Sequence, residues 1–162
     1  MYEDEIVSHD KRYRYSLLRA WDATADKGTT CIFIGLYPQP NPDSKQTQAY
    51  VDAGKRWGYK AVLILNSFAL IADSTEPFRN RKKVPDGVVG LFNNGHLRQF
   101  SRGAPMVVVA WGSSGGIIDR DIRLLKMLRK AEGVTLHCVG KNKDGTPKSI
   151  LRAEPDALPE VF

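Results

Sequence analysis

Between Ala61 and Leu70 the chain reads AVLILNSFAL, preceded by Lys60. The apolar residues Ala61 to Leu65 run into Asn66, and a second apolar patch, Phe68 to Leu70, follows. A short unbroken apolar run flanked by polar residues predicts a strand covered on both faces. An amide at the end of such a strand needs partners, because an unpaired buried polar group costs ~1–3 kcal/mol. Ligands of open α/β sheets bind beyond the carboxyl ends of the strands, where Asn66 falls. An asparagine there also serves to cap the following turn, so position alone leaves both roles open.

Three further runs of the same kind lie at Cys31–Leu36, Met106–Gly112 and Val134–Val139. Helical patterns separate them. Ser44–Trp57 places Tyr50, Ala53, Gly54 and Trp57 on one face; Asp86–Phe100 carries Val88, Val89, Leu91, Phe92, Leu97 and Phe100; Asp119–Lys130 carries Ile122, Leu124, Leu125 and Leu128. Strands alternating with helices predict a three-layer α/β sandwich on a mainly parallel four-stranded sheet. The loops after Leu36, Asn66, Gly112 and Val139 are then expected at one edge of that sheet, with the site among them. Pro38, Pro40 and Pro42 stiffen the first of these loops, and Gly35 before it either admits a ligand closely or serves the turn. Tyr13–Asp22 reads as an edge strand or a short helix, and the polar tail after Leu151 as peripheral.

The 162 residues make one domain, with its core over about residues 12–151. A hydrophobic share of 42% and a charged share of 26% are those of an ordinary globular protein. No apolar run approaches the ~20 residues that span a bilayer, and the N-terminus is too polar for a signal peptide. Cys31 and Cys138 lack metal-ligand spacing and are expected as buried free thiols of a reducing, cytoplasmic compartment. No membrane, metal or cofactor is expected. The net charge of +6 favours a polyanionic partner, DNA foremost, although charge runs such as Arg79–Lys83 and Arg120–Lys130 also occur on plain solvated faces.

Among chemistry-bearing patterns, Gly112-Ser113-Ser114-Gly115-Gly116 lacks the lysine of a P-loop. It either cradles a phosphate on backbone amides or is a tight turn. His9 and His96 are expected at the surface, and His137 is equally a core residue or a catalytic one.

The blocks RYRYSLLRAWD, IFIGLYP, RWGYKAVLILNSFAL, VVVAWGSSG and LHCVGKNKDGTP resemble, in order over roughly residues 12–151, the bacterial and phage family of unknown function numbered 1643. More distantly, a strand running into G-x-x-P, a strand ending in Leu-Asn and a strand ending in Trp-Gly resemble the uracil-DNA glycosylase superfamily. That resemblance implies its fold. It also implies that Gly35 and Pro38 form the first motif, that Tyr50 stacks on a base and that Asn66 reads the base edge, with Trp111-Gly112 closing the third strand. Two departures stand out. Tyr37 occupies the place of a water-positioning Asp or Asn, and the last loop has Lys148 after Pro147 in place of a His-Pro pair. The candidate catalytic groups are therefore Tyr37, by position, and Asp43 and His137 as substitutes. Candidate nucleic-acid backbone contacts are Arg79, Arg81, Lys82, Ser113, Ser114, Lys141 and Lys143.

The expected function is DNA binding with base recognition, foremost as a glycosylase-like hydrolase cutting the N-glycosidic bond of an unusual or modified base. The alternatives are a non-catalytic nucleic-acid-binding or decoy protein on the same fold, or a nucleotide or nucleotide-sugar enzyme using the Gly112–Gly116 turn.

Overall fold

A computed structural model describes residues 1–80, 87–131 and 133–162. Its strands are β1 (Tyr2–Val7), β2 (Arg14–Ala20), β3 (Thr30–Gly35), β4 (Ala61–Asn66), β5 (Met106–Val109), β6 (Leu136–Cys138) and β7 (Glu160–Val161). Its α-helices are α1 (Lys45–Arg56), the single turn α2 (Glu76–Arg79), α3 (Asn93–Ser101) and α4 (Arg120–Lys130). The strands form one sheet in the order β1-β2-β4-β3-β5-β6-β7.

The four apolar runs form its contiguous parallel centre, β4-β3-β5-β6. The sheet is nevertheless larger and more mixed than the four-stranded one expected. β2 pairs antiparallel with both β1 and β4, and β7 pairs antiparallel with β6. Tyr13–Asp22 thus contains an interior strand, whose buried Arg14 and Arg19 disguise it in the sequence. The tail is not peripheral: β7 closes the sheet, and Trp57 Nε1 donates to the Ala157 carbonyl at 3.1 Å.

Alternation along the strands builds two cores. Phe33, Val62, Ile64 and Val108 face α1 with Tyr50, Val51 and Ala53; Ile32, Ile34, Leu65, Val107 and Val109 face α3 and α4 with Leu97, Leu124 and Leu128. Helices therefore cover both faces of the sheet. α1 begins at the Ser44 cap, whose hydroxyl accepts from the Thr47 amide, and approaches β4 closely because a Cβ at Gly54 would collide with Val62.

α3 starts later than the helical pattern suggests. Val88 and Val89 lie in a bend whose carbonyls accept from the Leu70 and Ala69 amides, and Gly90 at φ 90° breaks the path before Asn93. Asp86, the expected start of that helix, lies outside the described residues. His96 is half-buried rather than exposed, stacked on Tyr15 at 5.0 Å between ring centroids. Both cysteines are buried and free. No helix among the described residues is long and apolar enough to cross a membrane.

Phe33 is fully buried, with its ring 4.6 Å from Tyr50 and 5.6 Å from Trp57. Phe33→Ala is expected to lower the unfolding free energy by about 3–5 kcal/mol. Urea denaturation checks this; a loss below about 1 kcal/mol would show that β3 does not anchor the α1 face.

Candidate functional site

Parallel strands bring the loops after β3, β4, β5 and β6 to one edge of the sheet. Gly35 is paired with Asn66 across the β3–β4 ladder. A Cβ at Gly35 would lie 2.7 Å from both Asn66 Oδ1 and the Tyr50 hydroxyl, so only glycine leaves these groups room. Asn66 is 6% exposed, and its side-chain amide makes no hydrogen bond with any described residue. It therefore does not cap the following turn. The turn is held by main-chain bonds from the Ser67 amide to Gly35 and the Phe68 amide to Leu36.

Asn66, Tyr37, Pro38 and Tyr50 line one pocket together with Arg14, Gln39, Gln46 and Thr47. Its volume is about 20 Å³, which suits one water molecule and lies far below the ~300 Å³ at which ligand pockets begin. Tyr50 contributes only its hydroxyl, which accepts from Gln46 Nε2 at 3.2 Å; its ring is packed on Phe33 and has no free face. Complete burial pushes the Tyr50 phenol pKa upward. Tyr37 is half-buried and lies on Phe78 at 4.7 Å. Burial and then the nearby Asp73 charge raise its pKa as well, so this phenol donates or accepts a hydrogen bond but is no base at neutral pH.

The other predicted catalytic groups lie elsewhere. Asp43 is exposed and paired with Arg19, Nη2 to Oδ1 at 2.9 Å. His137 stands on β6, three strands from Asn66, or roughly 14 Å across the sheet. Its Nδ1 is 3.3 Å from the Thr135 carbonyl. Arg79, Ser113, Lys141 and Lys143 are exposed and Ser114 half-buried, all in segments following the parallel strands; Arg81 and Lys82 lie outside the described residues.

The Gly112–Gly116 turn does not open α4 directly. It leads into 3-10 turns within Ser113–Asp119 that are interrupted by a kink at Ile117 and Ile118; Trp111 packs where a Gly115 side chain would be, and α4 starts only at Arg120. Among the described residues no group of three metal-binding side chains gathers.

The sequence reading missed the groups that hold the site. Arg14 donates Nη1 to the Gln39 carbonyl at 2.7 Å and Nε to Glu5 at 2.9 Å. With Arg19 on Asp43, it ties the proline loop to β2. Asn93 and Arg120 approach the end of β4 from the opposite face. Alternation of arginine with aromatic residues in RYRYSLLR was the available signal for Arg14 and Arg19; nothing comparable marks Asn93. A larger cavity of about 500 Å³ opens at the amino edge of the parallel strands between Leu18, Ile32, Leu63 and Phe100. Its walls are mainly apolar, and Asp26 there is already engaged by Thr29, so it assembles no comparable polar set.

Gly35→Ala is expected to cost about 1–3 kcal/mol by overpacking and to displace the Asn66 amide. Thermal unfolding and a structure of the variant check this. A second expectation follows from the buried phenol of Tyr50. The unfolded chain's tyrosine ionises near ~10 while native Tyr50 stays neutral, so stability falls as pH rises beyond that value. Tyr50→Phe should be less sensitive between pH ~9 and ~11; an identical pH profile would contradict the burial of this hydroxyl.

A family model described as a protein of unknown function (DUF1643) matches residues 14–148. No curated protein and no solved structure matches the chain. The matched span runs from Arg14 through the proline loop, Asn66 and Arg120 to Lys148, so the whole carboxyl edge lies within it. On that coverage the chain belongs to the DUF1643 family.

Proposed function

We propose that this chain is a nucleic-acid-binding protein with a uracil-DNA-glycosylase-like fold that recognises a single base through Asn66. One observation carries the reading: a nearly buried amide, unpaired by any described residue, borders the same pocket as Tyr37, Pro38 and the Tyr50 hydroxyl. Asparagine offers a donor and an acceptor side by side, which is what the edge of an extruded base requires. The order Gly35, Pro38, Asn66, Trp111, Gly112 is the one that resembles the superfamily. The net charge of +6 favours DNA as the partner, and two buried free thiols fit the cytoplasm. A base enters only if the Tyr37–Asn41 loop moves, because the pocket is water-sized. Tyr37, rather than Tyr50, is the aromatic that a displaced loop would offer for stacking.

The pocket volume also favours a second reading, hydrolysis of the N-glycosidic bond of a modified base by one water beside Asn66. Such catalysis would rest on placing that water, because Asp43 is engaged by Arg19 and His137 is remote.

Asn66→Asp replaces a donor by an acceptor. It is expected to abolish base preference at a cost of ~1–3 kcal/mol while leaving phosphate-driven affinity near wild type, with folding stability lowered by the nearly buried carboxylate. Affinity for oligonucleotides carrying uracil, damaged or phage-modified bases, measured beside abasic-site formation and thermal unfolding, checks this. Unchanged selectivity in a folded variant would end the base-reader reading, and absence of abasic sites with wild-type protein would end the hydrolytic one. Affinity should also fall by roughly one power of salt concentration per phosphate contact. No DNA binding at low salt would remove nucleic acid as the partner.

A further inference from the structure

Where β4 ends, the carbonyls of Asn66 and Ser67 turn away from the pocket toward α3 and α4, and both are met by side chains. Asn93 Nδ2 donates to the Asn66 carbonyl at 3.0 Å and to the Ser67 carbonyl at 3.1 Å. Arg120 Nε donates to the Ser67 carbonyl at 2.9 Å, and its Nη2 to Asn94 Oδ1 at 2.8 Å. Asn93 is fully buried and Arg120 is 4% exposed.

A buried guanidinium is a costly donor for a neutral carbonyl. Among the described residues no carboxylate forms an ion pair with Arg120, and burial, then the neighbouring Arg123 charge, lowers its pKa to about 10. The backbone that delivers it is also unusual. Ile118 and Asp119, immediately before it, have φ of 54° and 56°, the left-handed region that a β-branched residue seldom adopts. Two costly features, one electrostatic and one conformational, thus converge on the main chain of a single dipeptide. Packing alone does not require them, since a neutral donor would satisfy the same carbonyl.

Building on the base-recognition reading, we infer that Arg120 and Asn93 are positioning residues: they clamp the Asn66–Ser67 main chain from the α3–α4 face so that the Asn66 amide is held in one orientation in the pocket on the other face. Arg120 touches no ligand in this scheme. Its planar fork, bridging Ser67 and Asn94, fixes direction as well as distance, which the point charge of a lysine does not reproduce.

The test uses the full-length chain with Arg120→Lys and, as a milder release of the same fork, Asn94→Ala. The Asn66 side-chain amide resonances, assigned by their loss in Asn66→Asp, are followed by NMR in the absence of DNA. Base discrimination is measured separately as the ratio of affinities for matched oligonucleotides. Arg120→Lys is expected to remain folded, to shift or broaden the Asn66 amide pair, and to reduce discrimination tenfold or more with the salt dependence of binding unchanged. Asn94→Ala should move both in the same direction, two- to threefold in discrimination. If Arg120→Lys does not fold, Asn94→Ala alone decides. Asn66 resonances at wild-type positions in a folded variant would overturn the clamp. If those resonances shift while the wild-type protein shows no base preference, the clamp stands and the base-recognition reading falls.

Discussion

Gly35 stands opposite Asn66 in the β3–β4 ladder, and the missing side chain at that point is the constraint on which the carboxyl edge is built. Parallel pairing brings two strand ends level, so any side chain at position 35 would occupy the space of the Asn66 amide and the Tyr50 hydroxyl. With glycine there, the Ser67 amide bonds back to the Gly35 carbonyl, β4 stops at Asn66, and the carbonyls of Asn66 and Ser67 are met by Asn93 and Arg120. The pocket and the buried polar cluster beneath it are opposite faces of one strand end.

Three of the described arginines, Arg14, Arg19 and Arg120, are internal. Arg14 and Arg19 leave β2 to hold the proline loop, with Glu5 and Glu3 of β1 beside them, and Arg120 holds the end of β4. A chain with three prolines between Tyr37 and Asp43 has few backbone donors in that loop, of which the Asp43 amide bonds within it, to Asn41 Oδ1 at 2.9 Å. Its Gln39 carbonyl and Asp43 carboxylate are met by guanidinium groups from the neighbouring strand. Part of the positive charge that composition assigns to a polyanionic partner is therefore structural.

The parallel centre of the sheet was legible because each of its strands is an apolar run, and period-two burial leaves few alternatives. Asn66 was legible because a lone amide at the end of such a run needs an explanation. β2 was ambiguous because Arg14 and Arg19 are buried through partners remote in sequence, Gln39 and Asp43, which local periodicity does not see. The start of α3 was misplaced because Val88 and Val89 fit a helical stripe, whereas Gly90 at positive φ and the bonds from the Ala69 and Leu70 amides hold them in a non-helical bend. Asn93 and Arg120 were invisible as site residues: each sits on an ordinary amphipathic helix, and only the fold brings both to Ser67.

The sheet also separates charge along its width. At one end the acids of β1 are largely answered by β2, with Glu3 and Glu5 beside Arg19 and Arg14. At the other end Lys141 and Arg129 gather around the Phe162 ring, with exposed Lys143 and Lys130 nearby in sequence. The two ends of the sheet thus differ in their contacts: acids paired with buried arginines at β1–β2, and basic side chains over an aromatic ring at β6–α4. On the nucleic-acid reading proposed above, a strand held at the β6–α4 end would reach Asn66 by running along the carboxyl edge past β5 and β3, roughly 14 Å. On that reading a stacked strand, at ~3.4 Å per nucleotide step, would cover the distance in about four steps, so strand length as well as base identity would decide whether the pocket is reached.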